Sequence, residues 1–145
     1  MLRLFFRFRR SLLSSLCLAA VKALLKYLKF VTGEELMPGV VAVIQTFGDR
    51  INFHPTFMCS SPRGGTALDG AFHRISNFND GLIQQLFTCE VFYLLLAEKL
   101  IGLSLVQKIL SWRHTGFNVH SKVRTRDRKE TERVVNRLGS GLVFC

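Results

Sequence analysis

One stretch near the end of the chain, Trp112-Arg113-His114-Thr115-Gly116-Phe117-Asn118-Val119-His120, concentrates residue types suited to binding nucleic acid. A guanidinium matches phosphate oxygens in a planar fork, and aromatic faces stack on unpaired bases. Arg113 therefore suits a phosphate, with Trp112 or Phe117 against a base and His114 as a hydrogen-bonding neighbour. The competing reading is that Trp112 and Phe117 fill core while His114 makes a local hydrogen bond. His120 is open to the same two readings, ligand or base against structural residue. Lys122, Arg124, Arg126 and Arg128 follow at once, a run suited to tracking a phosphate backbone or to forming a solvated edge. Arg3, Arg7, Arg9 and Arg10 open the chain, and Lys129, Arg133 and Arg137 extend the basic end, while the middle is nearly neutral. The net charge is +10, with an isoelectric point near 10.1. Each cation set against a phosphate releases condensed counterions, so clustered charge favours a polyanion. DNA, RNA and an anionic membrane surface all meet that description.

Little else points to chemistry. Cys17, Cys59, Cys89 and Cys145 stand far apart with no CxxC pair, which argues against a zinc ribbon. Cys17 and Cys89 fall in apolar stretches, where a thiol behaves as a small hydrophobe, and the set suits a reducing cytoplasm. The sequence has no Walker loop and no dinucleotide fingerprint, and no Ser-His-Asp arrangement is recognisable in it. Tyr27 and Tyr93 are the two tyrosines, both in apolar helical stretches read as core.

The elements that must position these residues follow from periodicity. A chain of 145 residues, 48% of them hydrophobic, builds one core rather than two. At the start, Ser11, Ser15, Lys22, Lys26 and Lys29 line one helical face, opposite Leu13, Leu16, Ala20, Leu24 and Leu28. The Arg-rich opening and the apolar run after it imitate a signal peptide, but the lysines interrupt the run short of the ~20 apolar residues that span a bilayer. Packing against a sheet and lying on a membrane surface both remain open for this helix. Residues 39–46, GVVAVIQT, read as a buried strand, Phe47 to Arg50 as a turn, and Ile51-Asn52-Phe53 as the start of a hairpin partner. Thr56 to Gly65 show neither strand alternation nor helical spacing, although the partner strand should run there. Asn79-Asp80 caps a helix from Gly81 to Leu100 with Leu82, Leu86, Cys89, Phe92, Tyr93 and Leu96 on one side. Gly102 breaks it, Ser104 caps a shorter helix through Trp112, and Gly116 ends that one. Phe117, Val119 and Val123 suggest another strand, and Asp127 a cap for a basic helix from Arg128 to Leu138.

Four strings carry a family resemblance: FFRFRRSLL, PGVVAVIQTFGD, NFHP and SWRHTGFNVHSKVR. In that order and spacing, from Phe5 to Arg133, they resemble transposases of the insertion-sequence ninety-one type, within the HUH endonuclease superfamily. The resemblance implies an α+β fold, a small antiparallel sheet packed by helices. It also implies a mobile-element enzyme that nicks one DNA strand in transposition and recombination. In intact members two histidines flank one hydrophobe on a central strand and help to hold a divalent metal such as magnesium or manganese, which polarises the scissile phosphate. A tyrosine attacks that phosphate and stays joined to the DNA end. Residues two apart on a strand face the same side, so both imidazoles reach one ion.

Here the sequence departs from the family. After His54, members read Pro, His, hydrophobe, His, whereas this chain reads Pro55, Thr56, Phe57, Met58. Thr56 and Met58 do not hold a hard cation. One choice of codons accounts for the change. CAC CTT CAT GTG CTC GTC ACC GAG spells His-Leu-His-Val-Leu-Val-Thr-Glu; without its first base it becomes ACC TTC ATG TGC TCG TCA CCG AGG. The second series spells Thr-Phe-Met-Cys-Ser-Ser-Pro-Arg, the residues from Thr56 to Arg63. Residues 56–63 are therefore read as out of frame, with the frame restored near Gly64-Gly65. Members also carry a cysteine-rich zinc-binding region ahead of the first string and nucleophilic tyrosines beyond an arginine-proline segment. The sequence given starts almost at that string, and residues 134–145 diverge.

The expectation is a single, partial transposase domain over residues 1–145 that binds single-stranded element ends at the nucleoid through Trp112, Arg113, His114, Phe117, Lys122, Arg124, Arg126 and Arg128. No catalytic residue, metal ligand or cofactor is expected, nor a stable membrane span. The alternatives are a noncatalytic single-stranded DNA-binding module and a basic amphipathic peptide at a membrane surface. Ser60, Ser61, Pro62 and Arg63 in an interior strand would cost roughly several kcal/mol against a typical total of about 5–15, so incomplete folding is also expected.

Overall fold

A computed structural model describes residues 2–47, 53–60, 64–113, 116–120 and 142–144. Two N-terminal helices lead in, the short α1 (Arg3–Phe8) and the long α2 (Ser11–Thr32). The amphipathic pattern holds along α2, which buries Leu16, Ala20, Leu24 and Leu28 and leaves Lys22, Lys26 and Lys29 exposed, with Leu12 buried where Leu13, only half-buried, was expected. Gly33 ends it in the left-handed region, at φ 76°, with its N–H on the Lys29 carbonyl at 2.9 Å.

The hairpin expected from residues 39–53 is present. Strand β1 (Val41–Phe47) pairs antiparallel with β2 (Phe53–Ser60), with Val43 opposite Met58 and Gln45 opposite Thr56. Residues 56–60, expected to break the pattern, therefore run as strand. Residues 61–63 lie outside the described part of the chain. A ladder is made by backbone groups, so it tolerates the altered side chains as long as no proline removes a needed donor.

Two strands that the sequence reading did not anticipate follow. Strands β3 (Gly64–Thr66) and β4 (Phe72–Arg74) form a small second sheet around the turn at Asp69-Gly70, where the Asp69 carboxylate accepts the Ala71 N–H at 2.9 Å. Gly64 lies at φ +141°, and a Cβ there would meet the His73 carbonyl oxygen at 1.9 Å, so only glycine fits.

Helix α3 (Asp80–Ala97) starts where Asn79 predicts, with the Asn79 side-chain oxygen accepting the Leu82 N–H at 3.1 Å. Its buried stripe is Ile83, Phe87, Val91 and Leu95, with Phe92 beside it. The expected face was different: Leu82, Leu86 and Leu96 are half-buried, while Cys89 and Tyr93 are exposed. The reason is that α3 is apolar almost all round and offers two stripes at helical spacing. Contacts with α2 choose between them. The buried Tyr27 hydroxyl accepts the Asn79 N–H at 2.9 Å and donates to the Asn77 carbonyl at 3.3 Å, and its ring stacks on Phe78. Midway along α3, the Glu90 carboxylate pairs with Lys26.

After Gly102 comes helix α4 (Leu103–Leu110), and Gly102 itself stands at its N-cap in place of Ser104. Strands β5 (Val119–His120) and β6 (Leu142–Phe144) complete the larger sheet, whose order is β1-β2-β6-β5, antiparallel throughout. Strand β6 was not foreseen in the divergent tail, yet it is interior, between β2 and β5. The chain is thus α+β, a small antiparallel sheet packed by helices. The principal helical contact of α2 is α3 rather than the sheet, which it also touches through β1 and β2. By length and composition α2 could cross a membrane, although 44% of its most apolar stretch is buried inside the protein.

Candidate nucleic-acid interface

The first half of the Trp112 string caps the end of α4. Backbone N–H groups of Ser111 and Trp112 bond back to the Gln107 and Ile109 carbonyls at 3.1 Å, which closes the helix and turns the chain outward. Trp112 is 43% exposed, and Arg113 is exposed. Among the described residues Arg113 has no ion pair. Gly116, at φ +81°, reverses the chain toward β5.

Phe117 turns inward. Its ring meets Phe87 and Phe92 edge-on, at centroid distances of 5.8 and 5.9 Å, and it is half-buried against the core. That packing fixes the segment before β5 onto α3. Of the residues singled out from sequence, Arg113 and Phe117 are brought together at one cleft of about 440 Å³. Trp112 stands beside it without lining it. His114, Lys122, Arg124, Arg126 and Arg128 lie outside the described residues, as does the basic helix expected from Arg128.

The opposite wall of the cleft comes from α3, through Gln84, Gln85, Thr88 and Cys89. Asn118 and Leu110 close the ends. The sequence reading missed these polar residues because it placed Cys89 on the buried side, which would have turned the glutamines elsewhere. A rotation of one stripe brings Gln84, Gln85 and Cys89 to the surface. Thr88 is satisfied locally, its hydroxyl donating to the Gln84 carbonyl at 2.7 Å.

No protein-family model, curated protein or solved structure matches this chain.

Elsewhere, Thr56 and Met58 stand two apart on β2, and His54 precedes them on the same strand. His120 ends β5, opposite Val143. Among the described residues no group of three or more His, Cys, Asp or Glu side chains is placed to hold a metal ion. Tyr27 is buried and both its hydroxyl contacts are structural. Tyr93, read as core from sequence, is 70% exposed on α3. Burial pushes the Cys17 thiol pKa upward, whereas Cys89 is open to solvent.

Proposed function

We propose that this chain is a DNA-binding protein derived from a transposase of the insertion-sequence ninety-one type, and that it binds single strands without cutting them. The observation that carries the reading is the position of the Pro55-Thr56-Phe57-Met58 string. It occupies β2, a strand paired on both edges, at the point where the resembling family carries its metal-binding histidines. The four-stranded antiparallel sheet with helices against it is read here as an HUH-type domain. A threonine and a methionine cannot replace two imidazoles around a hard cation, so the metal step has no ligands at those positions. What remains is the electrostatic part of the family's work, from Arg113 and from the basic run Lys122 to Arg128.

A nicking assay on single-stranded DNA with magnesium or manganese tests the catalytic half, and the expected result is intact substrate. Metal-dependent cleavage would overturn it. Sequencing the gene across codons 56–63 tests the descent. Read one base upstream, the nucleotides should give His-Leu-His, and any other reading refutes the phase shift.

A second reading has one observation in its favour. Leu18, Leu25, Phe30 and Val31 are exposed on α2 beside Lys22 and Lys29, a pattern that suits an anionic membrane surface. Partitioning of the protein onto anionic but not zwitterionic vesicles, with no affinity for oligonucleotides, would favour it.

A further inference from the structure

We propose that the cleft between α3 and the residues around Phe117 holds one unpaired base of single-stranded DNA, with Arg113 on the adjoining phosphate. The inference rests on the DNA-binding reading above and locates the grip on the strand. A nucleobase is a flat apolar ring with a polar edge, attached to an anion. Its pocket needs carboxamides or hydroxyls for the edge, an apolar wall for the ring and a cation outside. This cleft has all three. Gln84, Gln85 and Asn118 each bring two donors and an acceptor, and among the described residues none of these side chains is engaged in a hydrogen bond.

Leu110 and Phe117 supply the apolar wall, and among the described residues Arg113 is the one charged member of the lining. Among the described residues no carboxylate lines the cleft to repel a phosphate or attract a metal cation. A purely apolar ligand would strand the amides, which a polar-edged ring satisfies. The volume of about 440 Å³ lies within the range of roughly 300–1,000 Å³ usual for small-molecule sites, ample for a single nucleotide.

Cys89 lines the same cleft and is exposed, so it reports occupancy. The full chain is titrated with a fluorescent oligodeoxynucleotide and with the same strand carrying abasic sites, and Cys89 alkylation is followed by peptide mass with and without DNA. The intact strand should bind more tightly than the abasic one and should slow alkylation of Cys89. Gln85→Met and Asn118→Leu, both at exposed positions, should each weaken binding of the intact strand by about twofold to tenfold. Neither should change binding of the abasic strand. If the oligonucleotide binds while Cys89 reacts at an unchanged rate and both variants bind like the parent, the cleft is not the site, although the DNA-binding reading stands. If no oligonucleotide binds the unmodified protein, both are overturned.

Discussion

Tyr27 illustrates how one side chain sets the position of a helix 50 residues away in sequence. Its hydroxyl takes the Asn79 N–H at 2.9 Å and gives its proton to the Asn77 carbonyl at 3.3 Å, both in the segment that starts α3. Removing the oxygen leaves a part-buried donor without its partner, which costs about 1 kcal/mol. Tyr27→Phe should therefore lower the unfolding free energy by that amount, read as a lower urea midpoint at unchanged slope, while a loss below about 0.5 kcal/mol would mean water replaces the hydroxyl. Lys26 and Glu90 act differently, because Lys26 is largely exposed and screened while Glu90 is nearly buried. At the surface, the Lys29 hydrogen bond and then its charge hold the Glu35 carboxyl pKa below its ordinary value. A depressed carboxyl contributes stability above its unfolded pKa and loses it as pH falls through the folded value, so any effect of Glu35→Gln belongs to neutral pH and disappears in acid. Burial acts on Cys17 in the opposite direction. The folded thiol holds its proton more tightly than the unfolded one, so iodoacetamide should modify Cys17 more slowly than Cys89 at pH 8, as peptide mass would show. Equal rates would mean that α2 opens faster than the reagent reacts.

Elements were legible where one pattern outweighed its rivals. Helix α2 keeps its lysines on one side with Leu16, Ala20, Leu24 and Leu28 on the other, and that buried face is the one its spacing gives, although Leu18 and Leu25 stand exposed beside the lysines. The start of α3 was equally plain, since Asn79 offers a cap before an apolar run. Its rotation was not, because residues such as Leu82, Leu86 and Tyr93 match helical spacing as well as Ile83, Phe87, Val91 and Leu95 do. Long-range contacts with α2, among them the Tyr27 bonds and the Lys26–Glu90 pair, distinguish them, and no local pattern records those. The β3–β4 hairpin escaped for another reason: three-residue strands are too short for alternation to register. Strand β6 carried a signal, Leu-Val-Phe, but its place between β2 and β5 is decided by partners far away in sequence. Backbone geometry gives these elements separate tests. Asn79→Ala should destabilise by about 1 kcal/mol through the lost cap. Gly64→Ala should cost about 2 kcal/mol or more, since its Cβ would overlap the His73 carbonyl. Gly33→Ala, at a similar sign of φ but in open space, should cost closer to 1 kcal/mol. Thermal melts of the three variants check the order, and a mild Gly64→Ala would mean that β3 and β4 pair loosely.

At the scale of the whole molecule, apolar core and charge are separated along the chain. Packing of α2 on α3 holds the centre, and cations crowd the two ends. The candidate interface was legible in part for this reason. Arg113 and Phe117 stood out by residue type, whereas Gln84, Gln85 and Asn118 carry no signal until folding brings three segments to one cleft. The charge separation also makes the competing partners distinguishable by one quantity. Each phosphate neutralised on a single strand lowers the logarithm of the binding constant by about 0.7 per decade of salt. If Arg113, Lys122, Arg124, Arg126 and Arg128 each meet a phosphate, the slope should be about −3.5, and Arg113→Ala should reduce its magnitude by roughly 0.7. Removing the cleft amides instead should weaken binding at every salt concentration and leave the slope unchanged, because amides displace no counterions. A slope near zero, with the protein still bound, would mean that the basic run lies away from the strand and that contact is made by neutral groups alone. A steep slope untouched by Arg113→Ala would place the strand on the Lys122 to Arg128 run and away from the cleft.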